Sequence, residues 1–319
     1  MTSPSPQTPS GTHVIAGYGS VGTELATVLA DAGADVVVMT RTAAPSTDPR
    51  IRRLALDITD SASLLAVCPS AVAIYNCVNP AYHQWPELWP PIARSLETYA
   101  ERTSAVLVTC SNLYGYGPVD VPMTESMPLA ATGEKGRVRA EVWTAAKALH
   151  DTGRIRATEV RGSDYITHGT QSRLGDRVIP RILAGKAVQL AGNVDQPHTW
   201  TAPRDVARLM AIAAADERAW GKPWHVPSNP ARTQRQAVND LATAAGVAAV
   251  KVSSVPKVLL SMLGLVNPMI RGLRETGYQT DRPYILDDTR TRATFGLEPT
   301  PWATILNDTI ARYRTTTSR

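Results

Sequence analysis

The chain has 319 residues, a formal net charge of +5 and three cysteines. A single hydrophobic core stops growing at about 250–300 residues, so this length predicts one large domain and a smaller one. Lysine and arginine are scattered without a dense basic block, which argues against nucleic-acid binding. The cysteines form no Cys-x-x-Cys pair and leave an odd thiol, as expected of a protein in the reducing cytoplasm.

Two segments bear on targeting and membranes. Residues 1–10 are rich in Ser, Thr and Pro and have neither the basic nor the apolar region of a signal peptide, which predicts a disordered tail. Residues 255–270 form the longest apolar stretch, yet they contain Lys257 and Pro268 and are shorter than the roughly 20 residues of a membrane span. We therefore expect no membrane partner, and a helix of the smaller domain at 255–270.

Short β-branched runs alternate with helical stretches through the first half of the chain. This alternation predicts a parallel sheet with helices on both faces, because parallel strands need crossover connections that cover the sheet. The fold class expected is a Rossmann-type doubly wound α/β domain. The predicted strands are residues 13–16, 36–39, 53–56, 72–76, 106–109 and 156–161.

Beyond Ser163 closely spaced glycines break the chain into short pieces, which predicts a smaller mixed α/β domain that binds substrate. A predicted helix at 204–215 and a strand at 224–227 indicate a return to the main sheet, and amphipathic helices are predicted at 233–246 and 302–313. The expected main domain is 11–165 with a return at about 198–228, and the smaller one is 166–197 with 229–319.

The segment Gly17-Tyr18-Gly19-Ser20-Val21-Gly22 follows the first predicted strand and precedes a predicted helix at 24–31. This is the context in which a Gly-x-Gly-x-x-Gly turn binds a dinucleotide. Gly17 permits the tight turn, Gly19 lets the backbone approach the pyrophosphate, and Gly22 lets helix and strand pack closely. Because the helix N-terminus attracts phosphate, the whole segment is predicted to bind a cofactor.

The end of the second predicted strand indicates which dinucleotide is bound. An NAD site usually carries a carboxylate there, which accepts hydrogen bonds from the ribose. This chain has Thr40 and Arg41, and a guanidinium pairs with the 2′-phosphate of NADP(H). We expect NADP(H), with NAD(H) as the alternative if Arg41 is only a solvated loop residue. Asp57, after the third strand, is a candidate contact to the adenine.

Further segments carry a resemblance to one family. Thr109-Cys-Ser-Asn-Leu-Tyr-Gly115 is similar to a strand end of that family. Residues 181–192 are similar to a segment of its substrate domain, and residues 198–207 to the stretch before its returning helix. From His13 to about Arg314 the chain thus resembles the extended short-chain dehydrogenases/reductases, of the NAD-dependent epimerase/dehydratase type. The resemblance implies an enzyme that binds a nicotinamide cofactor and a small-molecule substrate.

In that family a Tyr-x-x-x-Lys pair exchanges the proton and holds the nicotinamide ribose. No tyrosine of this chain is followed by lysine four residues on. The family's spacing, counted from Tyr114, places Lys135 at the tyrosine and Arg139 at the lysine. The alternative placement, Trp143 with Lys147, keeps a lysine but leaves too little room before the next strand.

The resemblance also suggests roles for these replacements. Arg139 is expected to hold the ribose, since guanidinium donates hydrogen bonds but does not release a proton. Neighbouring Arg139 and a positively charged nicotinamide would disfavour the charged form of Lys135, which makes Lys135 a candidate proton donor or acceptor. Tyr114 is a second candidate, or packs under the nicotinamide. The family's catalytic hydroxyl corresponds to Cys110, so Ser111 is the nearest catalytic hydroxyl.

Other polar and aromatic residues complete the predicted site. Asn79 follows the fourth strand and is expected near the cofactor. Tyr82, His83 and Trp85 follow in a loop, and His198 and Trp200 flank the crossing between the domains, so these five are candidate substrate contacts or packing residues. The histidines show no ligand-like spacing, and no metal site is predicted.

The functional prediction is an NADP(H)-dependent oxidoreductase or epimerase. The alternatives are a sensor or scaffold that binds NADP(H) without turnover, and a non-redox lyase or isomerase. A homodimer is expected through helices at 89–103 and 137–150, where the second carries an apolar stripe at Val138, Val142, Ala145, Ala146 and Leu149. Packing of that stripe against the chain's own sheet is the alternative.

Overall fold

The chain folds around one large parallel sheet. The computed structural model describes residues 10–42, 46, 48–169, 172–255 and 275–317. The strands are β1 (Thr12–Ala16), β2 (Asp35–Thr40), β3 (Ile51–Ala55), β4 (Ala73–Asn76), β5 (Val106–Asn112), β6 (Arg156–Gly162), β7 (Asp164–Tyr165), β8 (Val188–Leu190), β9 (Pro197–His198), β10 (Trp200–Thr201), β11 (Pro223–His225), β12 (Arg232–Thr233) and β13 (Val252–Ser254). Seven of them form the sheet in the order β11-β6-β5-β4-β1-β2-β3, with parallel pairing throughout.

Helices cover both faces of this sheet. The helices of the described part of the chain are α1 (Ser20–Asp31), α2 (Ser61–Val67), α3 (Trp85–Thr103), α4 (Glu134–Asp151), α5 (Ile179–Leu183), α6 (Pro203–Ala215), α7 (Gln234–Ala244), α8 (Tyr278–Asp281), α9 (Thr289–Phe295) and α10 (Trp302–Thr317). Successive strand residues point to opposite faces. Val36 and Val38 therefore pack with α1 and α6, whereas Val37 and Met39 pack with α2 and α3.

The predicted doubly wound α/β fold is confirmed. Each predicted strand lies in the large sheet, and β11 is the returning strand. β5 continues beyond the predicted end at residue 109 to Asn112, which brings residues 110–112 to the carboxyl edge. The predicted helix at 255–270 falls mostly, and the tail at 1–10 almost wholly, outside the described residues. Among the described helices, none is long and apolar enough to cross a membrane.

A second core lies beside the sheet. Apolar residues after β6 and along α7 and α10 pack together, among them Ile166, Leu190, Trp200, Leu241 and Ile305. Three two-stranded sheets surround this core: β7 with β10, β8 with β13, and β9 with β12. The helix α7 begins with a capping box, in which Thr233 and Gln236 bond each other's backbone N–H groups. Residues 166–252 and 302–313 thus supply a separate apolar cluster.

A buried ionic network ties the sheet to the C-terminal segment. Arg161 pairs with Glu159 at 2.6 Å and donates to the Tyr116 hydroxyl at 2.7 Å. That hydroxyl lies 2.7 Å from His225 Nε2, and His225 Nδ1 lies 2.8 Å from the carbonyl oxygen of Asp287. Burial lowers the pKa of His225 to about 3, so the imidazole is neutral in the folded protein.

The apolar stripe predicted for a dimer packs inside the chain. Val138 and Val142 of α4 lie in a cluster with Trp85 and Trp89 of α3, and Ala146 packs in the sheet core. Packing within one chain therefore accounts for these three residues, whereas Ala145 is exposed, and the homodimer stays a prediction.

Candidate active site

A cleft lies at the carboxyl edge of the large sheet, where ligands of open α/β sheets bind. Four segments that follow or end parallel strands line it: residues 19–21, 77–79, 110–112 and 163–165. Five further side chains complete the described lining: Tyr82, Trp85, Trp89, Tyr114 and Arg139. We call the part around residues 19–21 the glycine end, and the part around Tyr82, Tyr114 and Arg139 the tyrosine end.

The glycine end has no room for side chains. Gly17 has φ 97°, and a Cβ there would lie 2.8 Å from the carbonyl oxygen of Cys77. A Cβ on Gly22 would lie 2.2 Å from the carbonyl oxygen of Gly17. Gly19 is the N-cap of α1 and no side chain caps this helix, so its first N–H groups are available to an anion. These residues fit the phosphates of a dinucleotide.

Basic side chains lie beside the glycine end. Arg41 is exposed directly after β2. Asp57 accepts hydrogen bonds from the backbone and hydroxyl of Thr59, which lower the pKa of its carboxyl group. The guanidinium of Arg53 lies over the ring of Tyr18, with 4.5 Å between its Cζ and the ring centroid. Of these, Arg53 was not predicted from the sequence.

Arg139 is buried at the tyrosine end. It is 4 % exposed, and its Nη2 donates to the carbonyl oxygen of Cys110 at 2.7 Å. Its guanidinium lies over Trp89, 4.3 Å from the ring centroid, and burial lowers its pKa. Its Nε is buried and has no hydrogen-bond partner among the described residues. Arg139 therefore retains a donor for a ribose hydroxyl, as its predicted role requires.

Lys135 lies one helical turn before Arg139 and is ion-paired. Its Nζ is 2.8 Å from Glu275 Oε2, and its backbone N–H donates to Glu275 Oε1 at 2.7 Å. The Nζ also lies over the ring of Tyr82, 5.8 Å from the ring centroid, although Lys135 itself is not in the described cleft lining. A carboxylate, rather than the expected cations, is therefore the nearest charge, and proton exchange by Lys135 stays a prediction.

Two tyrosine hydroxyls meet in the cleft. The hydroxyls of Tyr82 and Tyr114 are 2.7 Å apart. Trp85 supports both rings, since Tyr114 stacks on it with centroids 6.0 Å apart and Tyr82 meets it edge-on at 5.1 Å. Burial raises the pKa of each phenol, so both are protonated at neutral pH. Sequence reasoning proposed both residues but did not predict that they bond each other.

A charged cluster borders the tyrosine end. Arg173 Nε donates to Asp164 Oδ2 at 2.9 Å, and His198 Nε2 lies 3.2 Å from the same oxygen. Burial disfavours the ionised carboxyl, but Arg173 and His198 outweigh it and hold the pKa of Asp164 well below its usual value. Asp164 lines the cleft, whereas His198 is buried behind it and is bonded to the carbonyl oxygen of Gln279 at 3.1 Å.

The remaining predicted residues divide into two groups. Ser111, Asn79 and Trp85 line the cleft. His83 is exposed and Trp200 is buried in the second core, with its Nε1 donating to the carbonyl oxygen of Arg232 at 3.0 Å; neither is in the described lining. The prediction that these two contact substrate is not supported, because residue 83 points outward from a short 3-10 turn and Trp200 packs in an apolar core.

Sequence reasoning missed Ser163, Asp164 and Tyr165. They directly follow β6, and the rule that ligands bind at the carboxyl ends of parallel strands could have identified them. Arg173 carried no such signal. Among the described residues, no group of three His, Cys, Asp or Glu side chains could hold a metal ion.

Comparisons with known proteins agree with this architecture. Residues 13–226 match the model of the NAD dependent epimerase/dehydratase family. No curated protein matches the chain.

Among solved structures, UDP-glucose 4-epimerase from Thermotoga maritima aligns with a TM-score of 0.77 at 15% identity, over 97% of this chain and 100% of that one. A dTDP-glucose 4,6-dehydratase from Streptomyces venezuelae, with NAD bound, aligns with a TM-score of 0.75 at 20% identity, over 96% and 98%. UDP-N-acetylglucosamine 4-epimerase from Bacillus cereus aligns with a TM-score of 0.74 at 12% identity, over 95% and 99%. At these identities the likeness shows the fold, whereas the family match covers most of the chain. The resemblance predicted from the motifs is confirmed, and the chain belongs to the NAD-dependent epimerase/dehydratase family.

Proposed function

We propose that the chain binds a nicotinamide dinucleotide in the cleft, with NADP(H) preferred to NAD(H), and catalyses hydride transfer as an oxidoreductase or epimerase. The substrate class is a small carbonyl, imine or sugar-like compound. The observation that carries the proposal is the continuity of the cleft, which runs from the glycine end at the start of α1 to the hydroxyl-lined tyrosine end. Solved structures of this fold hold NAD, which supports a cofactor of this class.

The residues of the tyrosine end fit a nicotinamide. When bound, this cofactor donates or accepts the hydride. Arg139 has a buried Nε without a described partner, and this N–H is suited to hold a ribose hydroxyl. Ser111 and Asn79 add polar groups to the same lining. The chain thereby supplies orientation, while the redox chemistry belongs to the cofactor.

The Tyr82–Tyr114 hydroxyl pair is the proposed proton source. With Lys135 bonded to Glu275, these are two of the three phenols that the described cleft lining offers in place of the family's tyrosine. The third, Tyr165, has its hydroxyl 3.3 Å from Cys110 Sγ. Phenols that stay protonated donate a hydrogen bond to a carbonyl oxygen and neutralise the charge that develops there. This arrangement favours reduction of a carbonyl over proton abstraction from a substrate.

A second candidate function is a cofactor-dependent sensor without turnover. The pairing of Lys135 with Glu275 favours this function. The side chain at the position expected for the family's tyrosine is then bound to a carboxylate and is not in the described cleft lining. Arg139, at the lysine position, does not release a proton. Both observations are compatible with binding alone.

One experiment separates the two candidates. NADPH and NADH binding is measured by fluorescence titration, and the protein is then incubated with NADPH and ketones, imines and nucleotide sugars, with absorbance and product analysis as readouts. Binding with turnover supports the enzyme, and binding without turnover of any compound supports the sensor. No binding of either dinucleotide contradicts both.

A further inference from the structure

Arg53 is an unpaired cation beside the glycine end. It belongs to β3, where it lies opposite Val38 of β2. Its guanidinium stacks on Tyr18, the second residue of the glycine turn, with 4.5 Å between Cζ and the ring centroid. A side chain of β3 thus packs against the turn that follows β1.

The guanidinium of Arg53 has no polar partner among the described residues. Its Nε is buried without a hydrogen bond, and no ion pair within 4.0 Å involves this side chain in the described part of the chain. Asp48, five residues before Arg53, is already paired with Arg50. Asp57, four residues after it, accepts hydrogen bonds from Thr59 and forms no described ion pair with Arg53. A buried guanidinium N–H without an acceptor is unfavourable unless a ligand supplies one.

A second cation follows the strand adjacent to Arg53. Arg41 directly follows β2, which pairs in parallel with β3, and Arg41 is exposed. It forms no ion pair within 4.0 Å among the described residues, although Thr59 and, more weakly, Arg41 lower the pKa of the Asp57 carboxyl group. An arginine with an unbonded buried N–H, together with an exposed arginine after the neighbouring strand, indicates a site for an additional anion.

We propose that Arg53 is a specificity-determining residue that, together with Arg41, binds the 2′-phosphate of NADP(H). This inference rests on the proposed function, since it names the residue that produces the NADP(H) preference. The ring of Tyr18 holds the guanidinium in place before the cofactor arrives, which lowers the entropy lost on binding. NAD(H) carries a neutral 2′-hydroxyl at this position, so it offers Arg53 no anion for a charge-assisted hydrogen bond.

The test compares two adjacent arginines of β3. Arg53→Ala removes the stacked guanidinium, whereas Arg52→Ala removes an exposed one on the opposite face of the strand. Affinities for NADPH and NADH are measured by fluorescence titration, and those for adenosine 2′,5′-bisphosphate and 5′-AMP by calorimetry. No step requires a substrate.

We expect Arg53→Ala to weaken NADPH and the bisphosphate roughly 10- to 100-fold, the range for loss of a charge-assisted hydrogen bond, and to leave NADH and 5′-AMP unchanged. Arg52→Ala should leave all four affinities unchanged. If Arg53→Ala also loses NADH binding and so has lost its fold, Arg53→Gln replaces it in the test, because glutamine keeps most of the length of the side chain.

Failure of the role of Arg53 can be distinguished from failure of the proposed NADP(H) preference. Equal binding of NADPH and NADH by the unmodified protein contradicts the NADP(H) preference itself. A clear NADPH preference that survives in the correctly folded Arg53 variant contradicts the role of Arg53 and leaves the proposed function standing. Equal losses in the Arg52 and Arg53 variants also overturn the inference, because they indicate general attraction of the anion rather than a specific contact.

Discussion

The two ends of the cleft are built differently. The glycine end belongs to one contiguous segment, residues 17–22, and its shape depends on positions 17 and 22, where a Cβ would clash with backbone. The tyrosine end consists of side chains from the loop after β4, the end of β5, α4 and the segment after β6. The first is specified by neighbouring residues and the second by contacts between distant parts of the chain, and replacement of the family's catalytic pair by Lys135 and Arg139 stays a prediction. The predictions below test this contrast, starting with the largest expected effect.

Removing one hydroxyl of the tyrosine pair should have the largest effect. If the pair donates the proton, Tyr114→Phe lowers the turnover rate by roughly 10²- to 10⁴-fold, the usual contribution of general acid catalysis, with little change in NADPH affinity. Rates are measured with a substrate that the compound panel identifies. Tyr278→Phe is the control, because it removes a phenol hydroxyl outside the described lining. Equal rates for Tyr114→Phe and the unmodified protein would remove the pair from the mechanism.

A methyl group at Gly22 should disable the glycine end. Its Cβ would lie 2.2 Å from the carbonyl oxygen of Gly17, so the turn must move. We expect Gly22→Ala to lose measurable NADPH and NADH binding and to be destabilised by about 1–3 kcal/mol, the cost of overpacking. Denaturant unfolding and fluorescence titration measure these effects. Gly33→Ala adds a Cβ with no atom within 4 Å but at φ 82°, so it should cost stability through backbone strain and keep cofactor affinity; a loss of affinity there would show that the effect is not local.

The buried network of Glu159, Arg161, Tyr116 and His225 should make the free energy of unfolding depend on pH. The pKa of His225 is about 3 in the folded protein, below its unfolded value of about 6.5. The stabilisation that neutral His225 contributes to the free energy of unfolding is therefore complete above about pH 6.5. It is lost as the pH falls toward about 3, because the unfolded chain then binds a proton that the folded protein does not. The slope is at most about 1.4 kcal/mol per pH unit. Unfolding free energies between pH 7 and 4.5 should show this slope in the unmodified protein and lack it in His225→Gln.

The Lys135–Glu275 contact should matter to stability more than to chemistry. Glu275→Gln leaves the ammonium of Lys135 without its carboxylate, and we expect a loss of about 1 kcal/mol in unfolding free energy, since Glu275 is partly exposed. Turnover should change little. Lys147→Met is the control, because it breaks an exposed pair with Asp151 on the same helix. A large loss of turnover in Lys135→Met with intact cofactor binding would restore Lys135 as a catalytic residue.

The fold and the glycine end could be predicted because their signals are local. Alternating strand and helix patterns specify the sheet, and the spacing of Gly17, Gly19 and Gly22 specifies the turn within six residues. Arg139 was also found, since its position on α4 follows from the spacing of the family's lysine. The burial of its guanidinium agrees with the role expected of it.

The tyrosine end could not be predicted because its contacts join distant parts of the chain. Glu275 is 140 residues from Lys135, and no sequence pattern indicates that its carboxylate reaches the start of α4. Asp164 is bonded to Arg173 and lies close to His198, which belong to different strands and loops. Spacing along one helix therefore predicted the positions of Lys135 and Arg139, whose roles stay predictions, but misjudged which charge lies beside Lys135.

The most direct test of the account is a fluorescence titration of the unmodified protein with NADPH and with NADH, repeated with Arg53→Ala. We expect the unmodified protein to bind both dinucleotides, with NADPH at least about tenfold more tightly. Arg53→Ala should bind NADPH and NADH with similar affinity. If neither dinucleotide binds, the assignment of the cleft as a cofactor site is contradicted.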